Sequence, residues 1–252
     1  MDFDLTEPSL PNGPVPMFPL PGVFLFPHQV IPLHIFEQRY RDMVRDLLDG
    51  PGRFVIASPR IGEKETSQHV PAVVPVGGLG EILRHELLPD GRYMIWVLGV
   101  ARVHVQEVES PHLYRQVECL PFMETAVPEP DREDLAGELR EAASARLKEP
   151  LPLPDSTPPG LLADLLVQTL QAPRELVERA YLEPDVAVRA HLALEEAERQ
   201  DAAEQDAEDP DGLRGDGPIG DGLGGEDPEG EGPDSGGPTS DGPVWPPEPG
   251  DD

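Results

Sequence analysis

The residues that could do chemistry are few and poorly placed for it. The chain has two lysines, Lys64 and Lys148, one cysteine and seven histidines. A lysine acts as a base or nucleophile when an apolar pocket or a neighbouring cation lowers its pKa. Lys64 lies in a polar run between Glu63 and Glu65, and Lys148 at a helix end beside Glu149. Neither setting would do so. His28, His34, His69, His85, His104, His112 and His191 are scattered, with no HxH or HExxH spacing, so no metal site is expected. His34, in PLHIF, is read as a barrel residue with its ring N–H satisfied. Cys119, in YRQVECLP, is read as a small buried hydrophobe. A single cysteine excludes an intramolecular disulfide framework and any multi-cysteine metal site. The carboxylates number 49, and none stands out as an acid–base couple. No GxxxxGK[ST] string is present to cradle phosphates, and the clusters GGLG at 77–80 and GLGG at 222–225 lack a strand–glycine–helix context. No catalytic, cofactor-binding or metal-ligating residue is therefore expected. The residue types point to binding without catalysis and leave the contact residues undesignated.

Charge narrows what could be bound. Residues 201–252 hold 17 acids, one base (Arg214), 13 glycines and 9 prolines, a net −16 that leaves −14 of the chain's −30 on residues 1–200. Such a composition cannot bury enough apolar surface to offset ordering, so 201–252 is expected to be a disordered acidic tail. A negative domain repels phosphate backbones and anionic lipid surfaces, so neither nucleic acid nor membrane is expected as partner. No apolar run approaches 18 residues, and MDFDLTEP at the start is not a basic leader. A cytoplasmic location is expected.

The elements that must do the positioning follow from periodicity and punctuation. Residues 1–14 read as a flexible lead-in. Short extended pieces are expected at 15–20, 23–26 and 29–35, broken by Pro21-Gly22 and Pro27. Phe36, Tyr40, Met43, Val44, Leu47 and Leu48 then recur at helical spacing until Gly50-Pro51-Gly52. Strands are expected at 53–58, 73–88, 92–98, 101–108 and 113–120. A polar loop lies at 60–72, and a tight turn at Asp90-Gly91. Helices are expected at 131–149, 161–170, 173–181 and 185–199, with a proline-rich linker at 150–160. This is an α+β chain: a mostly antiparallel, β-rich half at 15–128, a helical half at 129–200, and the tail at 201–252.

The stretch FPLPGVFLFPHQVIPLHIFEQRYRDMVRDLL resembles the start of the N-terminal substrate-binding domain of the Lon protease family. VGGLGEI at 76–82, LPDGRY at 88–93, LGVARVHV at 98–105 and PHLYRQVE at 111–118 are similar to later parts of that domain, in order. LLADLLVQTLQAPRELVERAYLEPDVAVRAHL is similar to its helical part, so the resemblance spans about residues 15–199. It implies a PUA-like β pseudobarrel followed by a small helical bundle. His28 departs from the family's frequent glycine after LFP, which puts the local turn in question. In the proline-punctuated stretch, Pro19, Pro21, Pro27 and Pro32 are expected to turn a barrel corner while Phe18, Phe24, Phe26 and Ile35 fill its interior. Phe36 and Tyr40 would seat the first helix, with Phe26 and Tyr40 forming the seam.

Full Lon proteases add an ATPase and a serine–lysine peptidase, neither of which has a motif here. The resemblance thus implies a non-catalytic domain that recognises unfolded or exposed apolar polypeptide, as an adaptor in proteolysis or quality control. Its partner would be a polypeptide substrate or a protease. The rival is an RNA-binding PUA-like module, which the negative charge and the lack of a basic, aromatic-interleaved stripe oppose. The residues carry no signal of oligomeric state.

Overall fold

A computed structural model describes residues 9–60, 72–147 and 153–208. The elements run β1 (Val15–Pro19), β2 (Val30–Ile35), α1 (Gln38–Leu48), β3 (Arg53–Ala57), β4 (Val76–Leu87), β5 (Tyr93–Val108) and β6 (Arg115–Pro121). Then come α2 (Asp131–Ala145), α3 (Pro159–Thr169), α4 (Arg174–Leu182) and α5 (Val186–Glu208). The strands form one sheet in the order β2-β5-β4-β3-β1-β6, and β6 returns to pair with β5. Five strands thereby close a barrel, and β2 extends it alongside the first half of β5. All pairings are antiparallel except β1 with β3. β5 is long because it carries β2 over Tyr93–Leu98 and β6 over Val103–Val108. It was expected as two strands, but the chain continues through Gly99, with register shifts in the β4 ladder that bend the sheet at Leu79/Gly80 and Ile82/Arg84.

α1 places Tyr40, Met43, Val44 and Leu47 on its buried face, at i, i+3, i+4 and i+7. They close over Phe18, Leu25, Ile35, Phe54, Ile95 and Val97. Phe36 is not part of that stripe: it precedes the helix and is 62% exposed.

The proline-punctuated stretch builds two turns around three buried residues. Val23 N–H donates to the Leu20 carbonyl at 3.3 Å across Pro21-Gly22, with Gly22 at φ 74°. Gln29 N–H donates to the Phe26 carbonyl at 3.3 Å across Pro27-His28, with His28 at φ 63°. Proline followed by a positive φ is the pattern of a type II turn. Between the turns, Phe24-Leu25-Phe26 joins no strand, so the second expected strand is absent. The side chains of this triplet split between two cores. Leu25 joins the cluster beneath α1, while Phe24 and Phe26 join Leu139, Leu162, Leu166 and Tyr181 among the helices. Phe26 meets the Tyr181 ring edge-on at 5.0 Å, and Tyr40 instead meets Phe18 edge-on at 4.5 Å. The expected Phe26–Tyr40 seam is thus replaced by two, because the helical half supplies the partner that α1 was expected to supply.

The glycines of β4 and β5 make room for this triplet. A Cβ on Gly78 would stand 2.5 Å from the Leu25 carbonyl, and one on Gly99 would overlap the Phe26 carbonyl. GGLG is thus a packing device, used where backbone meets backbone.

The helix expected at 185–199 continues to Glu208, where Arg146 reaches the Ala197 carbonyl and the Asp201 carboxylate, each at 2.6 Å. A boundary after Gln200 therefore cuts α5. The remainder of the expected tail, most of the 60–72 loop and residues 1–8 lie outside the described residues.

His28 gives a test of the turn. It is exposed, and its N–H donates to the Gly99 carbonyl at 2.8 Å. Histidine tolerates a positive φ better than β-branched residues do, and glycine better still. His28→Val is expected to cost about 1–2 kcal/mol, whereas His28→Gly is expected to melt with the parent or slightly above it. Equal melting of the valine variant and the parent would contradict this turn.

Candidate functional site

The outer face of the β2–β5–β4 sheet is the candidate contact surface. Ile31, Leu33, Tyr93, Ile95 and Val97 pack toward α1. Their neighbours must then face outward. Register arranges them in three rows. Val30 pairs with Leu98 and Leu98 with Glu81; Pro32 pairs with Trp96 and Trp96 with Arg84; His34 pairs with Met94 and Met94 with Glu86. Two columns are thus mainly apolar and the third is charged. Val30 is 48% exposed, and Met94, Trp96 and Leu98 are half-buried. Phe36 continues the β2 column past the strand end, its ring 6.2 Å from that of His34. The Arg84 guanidinium lies over the Trp96 indole at 4.8 Å, which orients the central aromatic.

β2 ends the sheet order, so its free edge would invite another strand. Pro32, in mid-strand, has no N–H to give. Proline on an edge strand blocks ladder extension, so this face can grip through side chains but is guarded against strand addition. An apolar patch beside such an edge marks an interaction surface.

A second feature is buried. Arg102 on β5, Asp164 on α3 and Arg189 on α5 are each at most 5% exposed. The Glu124 carboxylate accepts from Nη2 of both Arg102 and Arg189, the latter at 3.0 Å. Arg189 Nε stands 2.9 Å from Asp164 Oδ1, outside hydrogen-bond alignment, and Arg102 stands 3.8 Å from Asp164. Arg102 also donates to the Tyr181 carbonyl at 3.1 Å, and Arg189 to the Glu183 carbonyl at 2.9 Å. Burial pushes the Asp164 carboxyl up, and the two guanidiniums pull it back down. Every charge in this network faces an opposite one, so it is a rivet between barrel and helices. A cleft of about 590 Å³ lies nearby, lined by Val74, Pro75, Leu182 and the paired Arg174 and Glu178. Of its two arginines, Arg174 donates to Ser58 Oγ at 2.9 Å and Arg60 to the Val73 carbonyl at 3.1 Å.

The residues singled out for chemistry are not brought together. His28, His34, His85, His104, His112 and His191 are all exposed. His34 stands on the outer face, not inside the barrel, because β2 presents alternate residues outward. Among the described residues no group of three or more His, Cys, Asp or Glu could hold a metal ion. Lys64, Lys148, His69 and the 222–225 glycines lie outside the described residues. Cys119 is half-buried, and burial pushes its thiol up to about 11. Among the described residues no helix is long and apolar enough to cross a membrane.

The described residues thus form a small closed barrel riveted to a helical bundle. The family model for the ATP-dependent protease La (Lon) substrate-binding domain matches residues 14–201, and the chain belongs to that family. Among curated relatives, Lon protease 2 of Sorangium cellulosum is 29% identical over 77% of this chain and 26% of its own length. The Lon protease of Desulfosudis oleivorans is 21% identical over 73% of this chain and 23% of its own. The chain thus spans about a quarter of these two relatives. Two solved structures share the fold. The Lon N-terminal domain protein of Xanthomonas campestris gives a TM-score of 0.53 at 21% identity, covering 72% of this chain and 97% of that one. The N-terminal domain of the Mycobacterium avium complex Lon protease gives 0.55 at 16%, covering 74% and 98%.

Proposed function

We propose that this chain binds polypeptide without cutting it, holding exposed apolar segments on the outer face of β2–β5–β4 and presenting them to a protease. The observation that carries this reading is the apolar strip of Val30, Pro32, Met94, Trp96 and Leu98, continued by the exposed Phe36. Membership of a substrate-binding family supports it. The charged column supports polypeptide over RNA, since a phosphate chain would meet one arginine between Glu81 and Glu86. No hydrolysis of peptide or ATP by the chain itself is part of this reading.

The test is binding of a permanently unfolded protein, reduced and carboxymethylated, to parent and variants. Central aromatics dominate such contacts. Trp96→Ser and Phe36→Ser are each expected to weaken binding about tenfold or more, with melting close to the parent's because both side chains lie outside the cores. Variants that bind like the parent would refute this face.

A further inference from the structure

The charges bordering the face say what kind of segment fits it, given the reading of that face as polypeptide-binding. Glu81 is engaged by Arg53 at 2.8 Å, and Arg84 lies on Trp96. At the β2 exit Glu37 is paired with Arg39 at 2.9 Å, and at the hairpin Asp90 with Arg92 at 2.6 Å. Glu86, exposed beside Met94 and His34, has no ion-pair partner among the described residues. The apolar strip therefore ends on a carboxylate with no ion-pair partner among the described residues, on a chain whose net charge is −30. We propose that the occupant is an apolar segment flanked by lysine or arginine, with its basic residue received by Glu86, and that acid-flanked apolar segments are turned away. Apolar contact gives the grip, while charge selects among grips and speeds encounter.

The test uses the full chain carrying Trp245→Phe, so that Trp96 is the single tryptophan and its emission reports occupancy. Two peptides share one apolar centre, one flanked by Arg-Lys and the other by Glu-Glu. The basic-flanked peptide is expected to bind several-fold tighter at low salt, since an exposed pair contributes about two- to fivefold and the net charge adds to it. In 1 M salt, where screening acts beyond about 3 Å, the two affinities should converge. Glu86→Lys should shrink or reverse the preference with unchanged melting. Equal binding of both peptides at low salt, or a preference untouched by Glu86→Lys, overturns the charge inference while leaving the apolar face standing. If neither peptide alters Trp96 emission, the face reading fails and this inference falls with it.

Discussion

Arg189→Met is expected to lower the melting temperature by about 10 °C or more. Arg189 is fully buried and touches two carboxylates and two carbonyls. Removing it leaves Asp164, 3% exposed, with only the more distant Arg102 as counter-charge. Breaking a buried ion network from one side costs about 3–5 kcal/mol, out of a total stability of about 5–15 kcal/mol. In a domain of this size each kcal/mol moves the midpoint by about 2–4 °C. Adding Asp164→Asn to the variant should restore part of the loss, because the orphaned charge is then gone. Arg45→Met on α1 removes a pair open to solvent on both sides and should melt nearly with the parent. A mild Arg189→Met, matching Arg45→Met, would mean that the rivet does not hold the two halves.

Phe26→Ala should be equally damaging, by a different route. Phe26 is 2% exposed, lies edge-on to Tyr181 and is packed with the helical core, although the chain around it belongs to the barrel. Emptying a buried phenylalanine site costs about 3–5 kcal/mol. The loss should be the same with and without a bound polypeptide, since Phe26 is not on the outer face. Gly99→Ala approaches the same point from the opposite side, driving a methyl into the Phe26 carbonyl, and should also destabilise severely. A Phe26→Ala variant that melts like the parent but loses polypeptide binding would move the contact site to this seam.

Much of the barrel is legible in the sequence and the site much less so. The short apolar run in RFVIAS, the Asp-Gly turn and the helical stripe from Tyr40 to Leu47 each declare a local structure, because each rests on local backbone preference. Where a side chain goes when two halves meet is not local. Phe26 and Tyr40 look like partners in sequence, but Tyr181, 155 residues further along, takes Phe26. Arg102 reads as a polar position on a strand until the helices cover it. One signal was available: Asp164 inside LLADLLVQ and Arg189 inside DVAVRAHLAL are charges on apolar stripes, which anticipate a buried pair. The outer face was hidden for a related reason. Met94, Trp96 and Leu98 lie in a continuous apolar run with no alternation to mark a face, and only the pairing with β2 shows that they point outward.

Contact between polypeptide and this face can be read by hydroxyl-radical footprinting of the full chain with and without a permanently unfolded protein. Side-chain oxidation reads the proposed contacts themselves, since Phe36, His34, Met94 and Trp96 are all reactive types. Their oxidation should fall together on binding, while Met123, 73% exposed and outside the three rows, keeps its rate. A saturated complex in which Trp96, Met94 and Phe36 oxidise as fast as in the free chain would contradict binding at this face.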